Sequence, residues 1–541
     1  MLTGEISPVR LSVGNGRIVG IESVEVASGY LIPGFVDSHI HIESSMLMPA
    51  EFARVAVIHG TVSTVSDPHE IANVCGLDGI ELMLQSAAQT PFKFYFGAPS
   101  CVPATEFETA GAKVGVSEIE QLLDDPRIHH LSEMMNFPGV ISGNPEVLAK
   151  LAAARDRGMP IDGHAPGLRG DQVKRYFGAG ITTDHECVSQ SEALEKIAAG
   201  CLIAIREGSA AKNFEALCPL LRSHPASCMF CSDDKHPDEL LVGHINQLVL
   251  RAIGKGYDTM DVLRAATVNP VRHYGLDVGL LQLDDPADFV LVDDLQELQI
   301  RKVWIEGNLV ADEGTSRLQA PASSPLNNFA AEPIRAEALQ VAIDTESPNP
   351  CRARTIEVMD GQLLTRSIEA SLEHDGEQVF ADPSQDVLKL VVVNRYRKAS
   401  PAVAFVRGFE LRRGAIASSV AHDSHNIVAV GVSDTEIASA INAIIDTRGG
   451  LSISDGDVVD VLPLPVGGLM SLDPCEVVAM DYQRLDRHAK QLGCCLASPF
   501  MTLSFLALPV IPSLKLSDRG LFDVDSFRFV PVILNEDVAT S

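Results

Sequence analysis

The segment FVDSHIHIESSM, residues 35–46, sets two imidazoles one residue apart inside an apolar run. On a strand, residues i and i+2 share a face. His39 and His41 therefore point one way, while Ile40 and Ile42 take the other. Two such imidazoles can clasp one divalent cation. Groups of the same chemistry recur downstream. SDPHE brings Asp67, His69 and Glu70; Glu133, His164, His185 and the pair Arg206–Glu207 follow; SDDKH brings Asp233 and Asp234. A carboxylate lying between two cations lowers their mutual repulsion, and Glu133 is the candidate bridge. His164 and His185 can hold the second cation. Nitrogen and carboxylate ligands with no thiolate suit Mn²⁺, Fe²⁺ or Zn²⁺. A bound metal lowers the pKa of water towards about 7. The aspartate after the last run can ligate, take the water's proton and pass it to a leaving group.

Each of these groups sits at the end of a short β-rich run. The runs are FVDSHI (35–40), TVSTV (61–65), FKFYF (92–96), HHLS (129–132), PIDG (160–163), ITTD (181–184), CLIAI (201–205) and CMFCS (228–232). Helical patterns separate them. In NPEVLAKLAAARDRG, Val147, Leu148, Leu151 and Ala152 are expected to share a helix face, with Gly158 at the C′ position helices favour. Eight β-then-α units predict a (β/α)₈ barrel of the TIM type, whose active groups lie where strands end. Ligand-type residues at one common depth on six strand ends are more than scattered core histidines would supply.

Taken singly, each residue has a bland reading. Asp67 before Pro68 can start a turn. Glu133 can cap a helix at Asn136, and Asp233 or Asp234 can cap one near Pro237. His129 and His130 read as structural. AHDSHN, with His422, Asp423, His425 and Asn426, resembles a metal loop and equally a polar turn between strands.

The rest of the chain divides into further units. Residues 1–32 read as short strands with a turn at Asn15-Gly16, and residues 276–320 have the same character. They are expected to pair as one small β domain beside the barrel, residues 33–275. The Ala/Pro/Ser/Asn-rich stretch 321–350 reads as a linker. Residues 351–541 form a second β-rich unit of mixed α+β type.

Composition narrows the function. A formal charge of −30 makes this chain a polyanion that repels nucleic acid and anionic lipid. The eleven cysteines show no C-x-x-C pair, which fits buried thiols in a reducing compartment. No signal-type apolar core and no run of ~20 apolar residues is found. The expectation is a cytoplasmic protein with no membrane and no nucleic-acid polymer as partner.

PGFVDSHIHIESSM, SDPHEIANV, SEMMNFPGV, DGHAPGL, TTDHECVS, IREGSAAKN and FCSDDKHPDELLVGHI together resemble the adenine deaminase family of the amidohydrolase superfamily. GAIASSVAHDSHNIVAVG and PFMTLSFLALPVIPSLKLSDRGL extend the resemblance through the C-terminal unit. The resemblance implies a binuclear hydrolase that converts adenine to hypoxanthine and ammonia in purine salvage, with Mn²⁺ or Fe²⁺ and with Zn²⁺ possible. It carries metal roles onto His39, His41, Glu133, His164, His185 and one aspartate of the 233–234 pair. In the superfamily that ligand usually follows Ser or Thr directly, so Ser232 selects Asp233, also the proton shuttle; Asp234 is a second catalytic candidate. His69, Glu70, Arg206 and Glu207 are candidates to hold the purine edge. A homo-oligomer of two or more chains is expected.

Three rival readings fit the sequence less well. Zinc deaminases of the flipped-base type need H-x-E and then P-C-x-x-C. His41-Ile42-Glu43 supplies the first, but neither Pro350-Cys351 nor Pro474-Cys475 continues to the second. Amidohydrolases acting on cyclic amides often bridge their metals with a carboxylated lysine, and no lysine lies near Glu133. A metal-free scaffold would not need so complete a ligand set.

Overall fold

Thr61–Ser66 reads TVSTVS and is fully buried, its Thr and Val side chains stiff at χ1 and suited to a pleated strand. The computed structural model, which describes every residue except 210, 322 and 535–541, places eight such strands in parallel. They are β1 (Phe35–Ile40), β2 (Thr61–Ser66), β3 (Lys93–Ala98), β4 (Ile128–Met134), β5 (Ile161–Gly163), β6 (Thr183–Asp184), β7 (Leu202–Arg206) and β8 (Cys228–Cys231). The first five form one ladder and the last three another. Thr182 N donates to Ile161 O at 2.9 Å, tying the start of β6 to β5. Asp233 N donates to His39 O at 3.0 Å and His41 N to Asp233 O at 3.1 Å, tying the end of β8 to β1. The strands thus run in sequence order round a TIM-like barrel, each of the eight expected runs contributing one.

Helices cover the barrel as the alternation predicts, with local corrections. The helix Pro145–Asp156 starts where Asn144 Oδ1 accepts from Glu146 N and Val147 N, with Pro145 in the first turn. Gly158 takes a positive φ just past its end. Its buried face is Val147, Lys150, Leu151 and Ala154, whereas Leu148 is exposed. Lys150 is inward because its Nζ donates to Ser100 O and Val114 O, both at 2.8 Å.

Tyr30–Pro33 pairs antiparallel with Phe289–Val292, so chain from before and after the barrel shares one five-stranded sheet. Val9–Gly14 and Arg17–Ser23 form a separate hairpin. Its turn residues Asn15 and Gly16 both have positive φ, as a two-residue primed turn demands.

The C-terminal unit is built on a nine-stranded sheet. The helix Asp434–Thr447 buries Ile437, Ile441 and Ile444 against it, a spacing that keeps one helix face on the core. The linker-like stretch is strapped on: Ala330 N donates to Arg395 O at 2.7 Å, and Phe329, Ala331 and Ile334 pack on the same core. Arg395 is fully buried and gathers Asn327 Oδ1, Gly467 O and His425 O at 2.7–3.1 Å. A Cβ at Gly468 would meet its guanidinium at 2.7 Å, so this approach requires glycine. The unit docks on the barrel through Ser471 N to Met46 O (2.8 Å) and Asn426 Nδ2 to Thr109 O (2.9 Å). Among the described residues no helix is long and apolar enough to cross a membrane, and all eleven cysteines are free thiols.

Candidate metal centre and active site

Glu133, at the inner end of β4, is the hub. Its Oε2 lies 2.8 Å from His164 Nδ1 and 3.2 Å from His185 Nε2. Its Oε1 lies 3.5 Å from His41 Nε2. His39 Nε2 faces His41 Nε2 at 3.2 Å, and Asp233 Oδ1 sits 3.5 and 3.2 Å from the two. His39, His41, Glu133, His164, His185 and Asp233, drawn from five strand ends, therefore meet in one cluster. Ile40 and Ile42 go into the apolar core, as strand alternation requires.

Backbone and second contacts fix these side chains. His41 Nδ1 donates to Asp67 O at 3.1 Å, which leaves Nε2 with its lone pair facing inward. Asp37 accepts Ser232 N at 3.0 Å and His39 N at 3.3 Å, and its other oxygen lies 2.8 Å from His244 Nε2. That network locks the end of β8 against β1. Asp233 then adopts φ of 55°, a left-handed conformation that aspartate tolerates better than most residues. Held there, its Oδ1 aims at the histidines while Arg206 Nη1 donates to Oδ2 at 2.5 Å.

The electrostatics follow from burial and opposite charges. Burial pushes the Glu133 carboxyl up, but His164 and His185 hold it well below the usual carboxylate range. Burial acts the same way on Asp233, and Arg206 with His39 and His41 overrides it. Asp234 moves the other way, raised by burial and by the Asp233 charge, and accepts Ser44 Oγ at 2.5 Å.

The remaining sequence candidates separate. His69 and Glu70 join the cluster, His69 Nδ1 lying 3.6 Å from Glu133 Oε1. Arg206 is buried between Asp233 and Glu186, two carboxylates it neutralises. Glu207 is not brought to the cluster: its carboxylate pairs with Arg251 on the helix Ile245–Gly254. Arg206 closes β7 and Glu207 is the first residue past it; their side chains leave the chain towards Asp233 and Arg251 respectively. His129 and His130 lie outside, on Tyr95 and Tyr274 respectively.

Further groups were not assigned to the site from sequence. Glu186 lies 3.3 Å from His185 Nε2; burial pushes its carboxyl up, and Arg206 and His164 hold it far below the usual range. The C-terminal loop delivers His422 Nδ1 to Glu70 Oε1 at 2.5 Å and His425 Nε2 onto Glu70 Oε2. AHDSHN is thus a turn between strands that also enters the site. Glu108 is buried with Oε2 unpartnered; burial and Asp423 push its carboxyl well above the usual range.

The donor set fits a pair of divalent cations. It consists of imidazole nitrogens and carboxylate oxygens, buried, with His69 Nδ1 and Asp67 Oδ2 lacking any hydrogen-bond partner. Beside it opens a cavity of about 1900 Å³, lined by His164, Glu186, Arg206 and Glu108 from the barrel and by Leu363 and Phe527 from the C-terminal unit.

Comparison with known proteins places this site in a family. The chain matches the amidohydrolase family over residues 30–310 and the adenine deaminase C-terminal domain over residues 362–528. It is 55 % identical to an adenine deaminase of Salinibacter ruber over 97 % of this chain and 96 % of that one. An adenine deaminase of Sulfurovum sp. is 52 % identical over 97 % of both chains. One of Methanosarcina barkeri is 47 % identical over 97 % of this chain and 96 % of that one. Both halves of the molecule, barrel and C-terminal unit, are covered, and the chain belongs to the adenine deaminase family of amidohydrolases.

Proposed function

We propose that this protein hydrolyses adenine to hypoxanthine and ammonia, using two Mn²⁺ or Fe²⁺ ions held by His39, His41, Glu133, His164, His185 and Asp233. The observation that carries this reading is the full-length identity of 55 % with a protein named adenine deaminase, on a chain whose barrel gathers four histidines and Asp233 round the Glu133 carboxylate. Zn²⁺ suits the same donors. When bound, such ions make water acidic enough to act as a nucleophile near neutral pH.

The protein's own groups do the rest. Glu133 offers one oxygen to each half of the ligand set. Asp233 has Oδ2 occupied by Arg206, so Oδ1 is the oxygen that takes the proton from water. The water oxygen bonds to C6 of the purine, and Asp233 returns the proton to the exocyclic nitrogen. The C6–N bond then breaks, ammonia leaves, and the C6 oxygen gives up its remaining proton as the carbonyl forms, replacing the one supplied to the ring nitrogen. A ring nitrogen must be protonated for C6 to accept the attack. Glu108, whose carboxyl burial and Asp423 push well above the usual range, stands on the cavity wall as the candidate donor. General acid–base steps of this kind are worth about 10²–10⁴-fold each. The enzyme acts in purine salvage as a homo-oligomer in the cytoplasm, in this reading.

An ammonia-release assay over adenine, adenosine, guanine and cytosine, with Mn²⁺-loaded protein, tests the proposal. Adenine is the preferred substrate; release from another base alone, or from none, rejects it.

A further inference from the structure

The Oε1 side of Glu133 carries more buried donors than the six assigned ligands. We propose that His69 is a further ligand of the cation on that side, presenting Nδ1, and that loop 421–426 of the C-terminal unit orients it through Glu70. This rests on the metal-dependent reading above.

The front of the His69 ring argues for ligation. One ligand atom from each of His41, Asp67, His69 and Glu133 lies within 4.8 Å of the others. His69 Nδ1 is 3.6 Å from Glu133 Oε1 and 3.2 Å from Asp67 Oδ2. Neither His69 Nδ1 nor Asp67 Oδ2 has a hydrogen-bond partner, although both residues are buried. Buried polar atoms left open towards a common point are costly unless something binds there. His41 Nε2, its lone pair freed by the Nδ1 bond to Asp67 O, faces the same point.

The back of the ring argues for control from the C-terminal unit. His69 Nε2 lies 3.4 Å from Glu70 Oε1. A metal-bound imidazole usually gives its other N–H to a carboxylate, which fixes its tautomer. Glu70 is itself held at both oxygens. His422 Nδ1 donates to Oε1, and His425 Nε2 lies in close ion-pair contact with Oε2. The His425 tautomer is set by the backbone: Ala421 N donates to Nδ1 at 3.2 Å, so the ring proton is on Nε2. Arg395 Nη1 anchors the same loop at His425 O. A chain of contacts therefore runs from Arg395 through His425 and Glu70 to His69.

The test is an Mn²⁺ titration of chelator-stripped full-length protein, following free Mn²⁺ by its EPR signal. Wild type takes up two tight equivalents. His69→Ala keeps one and binds the other at least 10-fold more weakly; Glu70→Gln, nearly isosteric, weakens the same equivalent by about 10-fold. Exogenous imidazole restores tight binding to His69→Gly. Two equivalents at unchanged affinity in His69→Ala would overturn ligation by His69, even if KM for adenine rises. Should His69→Ala not fold, unchanged affinity in Glu70→Gln overturns the proposal. Wild type that takes up no Mn²⁺ rejects the metal-dependent reading itself.

Discussion

Arg206 offers the sharpest perturbation. Its Nη1 bonds both Asp233 Oδ2 and Glu186, and all three side chains are less than a tenth exposed. Arg206→Met removes the one guanidinium that faces two buried carboxylates. Breaking a buried ion pair from one side costs about 3–5 kcal/mol, because the abandoned charge stays desolvated. His164 and His185 remain near Glu186, which puts the expected loss at the lower end, about 3 kcal/mol. Activity is hit separately. A hydrogen bond to a charged group is worth about 1.5–3 kcal/mol. If that orientation of Asp233 is missing in the transition state, kcat falls about 10–150-fold. Arg206→Lys, which keeps the charge but not the fork, should fall between the two. The assays are urea unfolding of the Mn²⁺-loaded protein and ammonia release at saturating adenine, with metal content matched between variants. An Arg206→Met enzyme with kcat within twofold of wild type and an unmoved urea midpoint would refute the assignment of Arg206 as the tether of Asp233.

Replacing both His39 and His41 by alanine should abolish turnover while the circular dichroism spectrum is kept; retained ammonia release in that variant removes the metal argument. Glu108→Gln keeps a donor on the cavity wall but cannot transfer a proton, so kcat should drop by about 10²-fold or more with a smaller change in KM; an unchanged kcat excludes Glu108 from ring protonation. Lys515 is buried, with Nζ donating to Leu363 O, and burial lowers its pKa to about 7 from 10.5. Between those values the unfolded chain holds a proton that the folded one does not, so stability rises with pH across the window and the full cost is felt below about pH 7. Lys515→Met should therefore raise the melting temperature more at pH 6 than at pH 10, and a gain that is equal or larger at pH 10 would contradict this.

The barrel was legible because most of its strands end on a residue with a chemical task, and the runs alternate with helical patterns of ordinary length. Even β6, two residues long, is marked by His185 directly after it. Other parts of the site were harder to read for specific reasons. Glu186 sits beside His185 in the same DHE run, and on a loop strict alternation no longer tells which neighbour turns inward. Glu207 is the first residue past β7, and its carboxylate turns away to Arg251. Glu108 lies in a segment without regular structure, where no period marks an inward position. His422 and His425 carry a visible metal-loop spacing, but nothing local says that they meet Glu70. That contact is a tertiary fact, set by docking the C-terminal sheet on the barrel mouth. The buried face of the helix Pro145–Asp156 was shifted by Lys150, which is drawn inward by two carbonyls no periodicity rule contains.

The contact between Glu70 and His422 spans 352 positions of chain. The last barrel helix ends at Tyr274, so at about 5–20 residues per second on the ribosome the complete barrel sequence emerges roughly 7–30 s before the loop that finishes its mouth. During that interval Glu70 faces open solvent, and any ion captured by the young pocket is held without its outer brace. The brace on Glu70 is therefore a late addition to the chain, made only when residues 421–426 have been synthesised and docked.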